Sequence, residues 1–302
     1  MFASRLSPSR RAAALLLVLI ASVLVLDRVG SAIMARIVVH SHSRIAQIYG
    51  SKVDADVLIL GNSVADAMVR SPLLREETGL KTYMAAVHGL DARTQLEVVK
   101  ALLARNRAPR FALMEVRSAS DRTVIASEWA MFSRQSPGLI TLAEEASPTA
   151  IPWRRIFSLY NFNSRNLPSV IGRIAMKSDQ AESDANGTIN EAKKNSFIRR
   201  RGSIAVGPDA LTAFVATVRL LQQHGTKVIV VAAPMHPVTR QLGNWATDYA
   251  RTVEQALPAG TTFFNALTAI QADADFEDAV HMNESGRRKF APMLAAAMNR
   301  AQ

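Results

Sequence analysis

Two patterns of apolar residues divide the chain. The first is one run, Ala12 to Leu26 (AAALLLVLIASVLVL), free of charged residues and closed by Asp27 and Arg28. A core helix would carry a polar stripe at helical period, and this run has none. Val29 to Val39 stays largely apolar beyond the charged pair. The second pattern begins at Val53, where short apolar runs alternate with segments of helical period. Val57 to Leu60, Lys81 to Ala86, Phe111 to Val116, Val228 to Ala232 and Thr262 to Phe264 read as strands. Leu73 to Thr78, Thr94 to Arg105, Asp209 to His224, Trp245 to Leu257 and Asn283 to Asn299 read as helices, with Gly225 as a stop signal. Nearly all-apolar strands separated by helices predict an α/β domain with a mostly parallel sheet covered on both faces.

That rhythm breaks at about 121–203. Trp129, Trp153 and Tyr160 stand in a more apolar first part; Ser178 to Asn195 is polar, and Arg199-Arg200-Arg201 follows. The region reads as an insertion, first a lid or cap and then a mobile polar loop.

Arg5, Arg10 and Arg11, with no acidic residue among them, precede the apolar run. Basic flanks stay cytoplasmic, so the rest of the chain is expected outside that compartment, in the periplasm of a bacterial cell. The run is either a retained inner-membrane anchor or a cleaved signal peptide. Gly30-Ser31-Ala32 is a poor cleavage site, and the run is long for a signal peptide, which favours retention. The expected order is a cytoplasmic tail (1–11), a transmembrane anchor (12–34), a membrane-proximal stalk (35–52) and one α/β domain (53–302) interrupted by the insertion.

The formal net charge of +11 favours anionic partners. Nucleic acid is not among the expected ones, because no zinc-ligand spacing, basic heptad helix or aromatic RNA-binding motif is present. The chain has no cysteine, which excludes disulfides, thiolate metal sites and a cysteine nucleophile. No spacing of His, Asp and Glu suggests a metal, and no cofactor is expected.

Chemistry is expected at two places. The strand Val57–Leu60 runs into Gly61-Asn62-Ser63 and a helical segment. Reactive groups of open parallel sheets collect at the carboxyl ends of strands, so Ser63 stands where a nucleophile would. Its bland role is to cap the helix, as Asn62 equally could. Ahead of the last helix comes Asp278-Ala279-Val280-His281, where a carboxylate could orient an imidazole that takes a serine proton. The bland role there is an exposed polar pair. His236, in Pro234-Met235-His236-Pro237 after the fourth strand, is either a pocket residue or a loop histidine.

Gly61-Asn62-Ser63 after the first strand, with Asp278-x-x-His281 before the last helix, resembles the first and last blocks of the SGNH/GDSL hydrolase superfamily. Asn62 replaces the family's usual Asp, as in membrane-anchored members related to polysaccharide O-acetylation proteins. The resemblance covers Val53 to Ala301 apart from the insertion. It implies a three-layer, flavodoxin-like SGNH fold in which Ser63, Asp278 and His281 are catalytic. It also implies that Ser63 and Gly89, the latter in Ala86-Val87-His88-Gly89, form the oxyanion hole. The third block, Gly-x-Asn-Asp in the family, is here Glu115-Val116-Arg117-Ser118-Ala119-Ser120-Asp121. Its asparagine is missing, which leaves Arg117 or the insertion to complete the hole. The implied function is serine-dependent acyl-ester chemistry, as a carbohydrate esterase or O-acetyltransferase on a cell-surface or exported polysaccharide. Its partners would be the inner membrane, an acylated polysaccharide or acyl donor, and envelope polysaccharide machinery. The alternative is a non-catalytic envelope component on a degenerate SGNH fold.

Overall fold

In the computed structural model, which describes residues 7–120, 126–164, 167–175, 186–200 and 205–301, five strands form one sheet. They are β1 (Val57–Leu60), β2 (Thr82–Met84), β3 (Phe111–Glu115), β4 (Lys227–Ala232) and β5 (Thr262–Asn265). The order across the sheet is β2-β1-β3-β4-β5, and every pairing is parallel. Arg5, Asp121, Arg201 and residues 178–185 of the polar stretch lie outside the described residues.

The near-continuous apolar runs follow from burial on both faces. Leu58, Leu60, Ala112, Met114, Val228 and Val230 join one cluster with Val99 and Leu102 of helix Ala92–Arg105 and Phe214 and Val218 of helix Pro208–Gln223. Val57, Ile59, Leu113, Ile229 and Val231 join a second cluster with Val64, Leu74, Phe290 and Leu294. Each such fully buried side chain stabilises the fold by about 1.5–3 kcal/mol relative to exposure. Local signals set the helix ends. Asp91 accepts the Thr94 N–H at 2.9 Å to begin one helix, and Gly225, at φ +78°, follows the end of another.

The N-terminal helix, Pro8–Val39, is unbroken over 32 residues. It is long and apolar enough to cross a membrane. It outruns the anchor expected at 12–34 and enters the domain. Ala35 and Val38 are buried with Ile45, Ile48 and Tyr49 in the first cluster. The segment 35–52 is therefore packed against the domain and is not a free stalk: most of its apolar side chains are buried, and helix Arg44–Tyr49 meets helix Ala92–Arg105.

Around Trp129 the insertion is also core where it was expected as a lid or cap. Trp129 and Phe132 are buried, and the Phe132 ring stacks on Tyr49 at 4.9 Å. The described end of the polar stretch is docked: Glu191–Arg199 is helical, and the Ile189 N–H donates to the Phe276 carbonyl at 2.7 Å.

Candidate active site

At the end of β1 the chain must turn sharply, and Gly61 makes the turn at φ +145°. A Cβ there would lie 2.6 Å from the Ala65 Cβ and 3.0 Å from the Ser118 hydroxyl, so no other residue fits without displacement. Asn62 caps the following helix, Ser63–Met68. Its Oδ1 accepts the Val64 N–H at 2.9 Å, and its Nδ2 donates to the Arg117 carbonyl at 3.2 Å. With Asn62 as the cap, the Ser63 hydroxyl is left for another partner.

That partner is His281, 218 positions along the chain, whose Nε2 lies 2.9 Å from Ser63 Oγ. The other ring nitrogen, Nδ1, is 2.8 Å from Asp278 Oδ2. An ionised carboxylate only accepts, so Nδ1 carries the proton and Nε2 presents its lone pair to the serine; this tautomer is inferred from the bonding pattern. Asp278 Oδ1 also accepts the N–H groups of Val280 and His281, at 2.8 and 2.9 Å. Burial raises the Asp278 pKa, but the hydrogen bond and charge of His281 and the two N–H donors outweigh it and lower the pKa to about 2.

The loop bearing Asp278 and His281 is held from several sides. Phe276 is fully buried and bridges antiparallel to Met282. Asn283 donates to the carbonyls of Gly187 and Ala274 at 3.1 and 2.7 Å, and Lys193 Nζ donates to the Glu277 carbonyl at 2.7 Å. His236 braces the same loop. Its N–H donates to the Ala279 carbonyl at 3.1 Å, its Nδ1 accepts from Val238 and its Nε2 meets Asp273 at 2.8 Å. Both ring nitrogens are thus engaged away from Ser63. Of the two roles open from the sequence, His236 takes neither a place facing Ser63 nor that of a free loop histidine; it is a support for the loop.

Gly89 sits at φ +72° in the turn after β2, and the Val87 N–H donates to the Gly61 carbonyl at 3.1 Å, which ties this turn to the serine turn. Among the described residues, no backbone carbonyl accepts from the N–H of either Ser63 or Gly89. After β3, Arg117 is buried. Its N–H donates to Glu115 Oε2 at 2.9 Å, and its carbonyl receives Asn62. Arg117 thus supports the Gly61–Ser63 turn through its backbone.

Two supporting groups carried no sequence signal. Asp66, buried in helix Ser63–Met68, pairs with Arg44 Nη1 at 2.7 Å and faces His88 Nε2 at 3.4 Å. Arg44 also donates to the Ala86 carbonyl at 2.6 Å, joining the serine helix to the Gly89 turn. Burial raises the Asp66 pKa, but His88 and Arg44 outweigh it and the net shift is downward. Ser63 and Asp66 share one helix, but nothing local marks Arg44 as their neighbour. The second group is Glu115, wholly buried, whose pKa burial raises to about 7 despite Arg117. Among the described residues no cluster of three or more His, Asp or Glu could hold a metal.

No family model and no curated protein matches the sequence. The geometry of the site therefore carries the functional argument.

Glu115 supplies a stability test. A carboxyl whose folded pKa exceeds its unfolded value stabilises the fold when protonated, and that stability is lost as pH rises from about 4.5 to about 7. Glu115→Gln cannot ionise, so its thermal midpoint is expected to fall less than the parent's between pH 5 and pH 8. Thermal melts at the two pH values check this, and equal slopes for both proteins would show that Glu115 stays ionised when buried.

Proposed function

We propose that the chain is a membrane-anchored serine acyl-ester enzyme of the SGNH type, acting outside the inner membrane. The observation that carries this reading is the convergence of Ser63, His281 and Asp278 from opposite ends of the sheet domain. A helix cap and a loop polar pair would require no such meeting. The sheet order β2-β1-β3-β4-β5, with apolar clusters on both faces, supports the three-layer, flavodoxin-like arrangement of that family.

In the proposed reaction Ser63 Oγ attacks the acyl carbonyl carbon while its proton passes to His281 Nε2. The carbonyl oxygen becomes an oxyanion facing the Ser63 and Gly89 N–H groups. Collapse of this intermediate breaks the bond to the alcohol, which leaves with the proton from His281. Water or a sugar hydroxyl then attacks the acyl-enzyme, giving back its proton through His281 and releasing Ser63. The two acceptors correspond to a carbohydrate esterase and an O-acetyltransferase, and the substrate class is an acylated surface or exported polysaccharide. Asp278 holds the imidazole in its tautomer throughout.

One observation favours a second reading, a non-catalytic envelope polysaccharide component: the run after β3 carries Arg117 where the family places an asparagine donor. A fluorophosphonate probe separates the two. Covalent labelling of the parent protein that disappears in Ser63→Ala supports the enzyme. An intact, unlabelled parent protein supports the binding component.

The proposed topology is a cytoplasmic N-terminus with the domain in the periplasm, on the basis of Arg10 and Arg11 at the start of the long helix, ahead of its apolar run. An alkaline phosphatase fused after Gln302 is expected to be active, with the fusion retained in membranes after carbonate washing. An inactive fusion would reverse the orientation, and a soluble product would show that the helix is removed.

A further inference from the structure

Among the described residues, every exposed large hydrophobic residue except Met293 lies on the N-terminal helix or between Trp153 and Ile174. The second group is Trp153, Ile156, Leu159, Ile171 and Ile174, in the short helices Ile151–Ile156, Ser158–Phe162 and Leu167–Ala175. The latter two pack directly against the N-terminal helix, and Leu159 lies against Gly30. The two apolar surfaces are therefore continuous.

The length of the apolar run requires more than the run itself. Ala12 to Leu26 rises only about 22 Å along a helix, whereas a bilayer's hydrocarbon core is about 30 Å thick. Extending the span to Ile33 gives about 33 Å and takes in Val29 and Ile33, both more than half exposed to the surroundings. It also takes in Asp27 and Arg28, which bare lipid would strongly disfavour. The insertion meets that need. The N–H groups of Ser158 and Leu159 donate to the Asp27 carboxylate at 2.8 and 3.0 Å, and Asp27 is 5% exposed. Arg28 pairs with Asp27 and donates to the Ile156 carbonyl and the Ser158 hydroxyl, at 3.1 and 2.8 Å. Both charges find protein partners at the level where the apolar run stops.

We propose that residues 151–164 and 167–175 form a lipid-facing collar, immersed in the outer leaflet of the bilayer that the N-terminal helix spans. The collar buries Asp27 and gives the half-exposed Arg28 its partners, and Trp153 lies near the headgroups, where amphipathic aromatic rings concentrate. Because the same segment is joined to the domain core through Phe162 and Val170, the collar fixes the height and tilt of the domain over the membrane. The inference rests on the membrane anchoring proposed above and is independent of the acyl chemistry.

The chain has no cysteine, so a nitroxide label can be placed at one site at a time. Full-length Leu19→Cys, Trp153→Cys, Ile156→Cys, Ile171→Cys and Arg219→Cys proteins are labelled and reconstituted in vesicles of phosphatidylethanolamine and phosphatidylglycerol. Collisions with oxygen, which partitions into lipid, are compared with those of a water-soluble nickel chelate. Oxygen is expected to dominate at residues 19, 153, 156 and 171, and the chelate at residue 219. A lipid-like signal at 19 with chelate-dominated signals at 153, 156 and 171 would overturn the collar alone, as a surface built for a protein partner would give in purified vesicles. A chelate-dominated signal at 19 would overturn the anchor and the collar with it.

Discussion

Ser63→Ala and His281→Ala are each expected to lower turnover of an activated acyl ester by roughly 10⁴- to 10⁶-fold, with the double variant hardly slower than either. The reason is geometric. In the proposed mechanism the Ser63 hydroxyl gives its proton to His281 Nε2, 2.9 Å away, and among the described residues Nε2 has no other hydrogen-bond donor. Once either is removed the other has nothing to act on, so the effects do not add. Asp278→Asn tests the third member. An amide can still accept the N–H groups of Val280 and His281, which preserves the turn, but its NH₂ group would face Nδ1 and force the wrong tautomer. A loss of up to about 10⁴-fold is expected from that tautomer change. Hydrolysis of p-nitrophenyl acetate measures all four variants, with circular dichroism to confirm that each is folded. Additive losses in the double variant would mean that Ser63 and His281 do not act as a unit. Asp278, lowered to about 2, contributes stability that is fully present above about 3.8 and lost as pH falls through about 2. Loss of activity in milder acid therefore reports other groups.

Gly286→Ala, at the one glycine of the closing helix, is expected to destabilise the domain. The new Cβ would lie 2.3 Å from the Asp275 carbonyl oxygen and 3.1 Å from the Met282 Cβ. Backbone cannot swing aside as a side-chain tip can. The same carbonyl accepts the Asn283 N–H at 3.0 Å, and the Gly286 N–H donates to Asn283 Oδ1 at 3.2 Å. Separating the helix from this loop would pull apart the cap and the segment that carries Asp278 and His281. Overpacking of this kind typically costs about 1–3 kcal/mol, occasionally more. For a domain of this size each kcal/mol lowers the thermal midpoint by about 2–4 °C. Gly172→Ala is the control: the position is open and helical, so alanine should stabilise by about 0.5–1 kcal/mol. Differential scanning calorimetry of both variants checks the contrast. Equal midpoints would mean that the loop and the closing helix can separate at little cost.

Much of the fold is written locally. The five strands and five principal helices lie within a few residues of where apolar period and stop signals place them, because two-sided burial makes a strand apolar throughout and one-sided burial makes a helix periodic. The span of the long helix is likewise a local property, set by an uncharged run. Its end is not: Ala35 and Val38 read as the start of a membrane-proximal stalk, and only their packing with Ile45 and Ile48 makes them core. Trp129 in the insertion poses the same problem, since an apolar residue in an irregular stretch suits a lid and a core equally well.

The site divides in the same way. Gly61-Asn62-Ser63 and Asp278-x-x-His281 are readable as candidate chemistry, because the turn at the end of β1 and the three-residue spacing of Asp278 and His281 are short-range constraints. Whether Asn62 or Ser63 caps the helix, and whether the two segments meet, depends on contacts spanning most of the chain. His236 shows the limit: between two prolines at a strand end it resembles a pocket residue, and only Asp273, Val238 and Ala279 reveal it as a brace. The Arg44–Asp66 pair and the Asp27 contacts with Ser158 and Leu159 had no signature at all. Sequence alone determined the elements and the residue types capable of chemistry, because these follow from periodicity and turn preference within a few residues. Tertiary structure alone decided which polar groups pair, because a hydrogen bond requires a separation of about 3 Å that only the packing of distant segments can set.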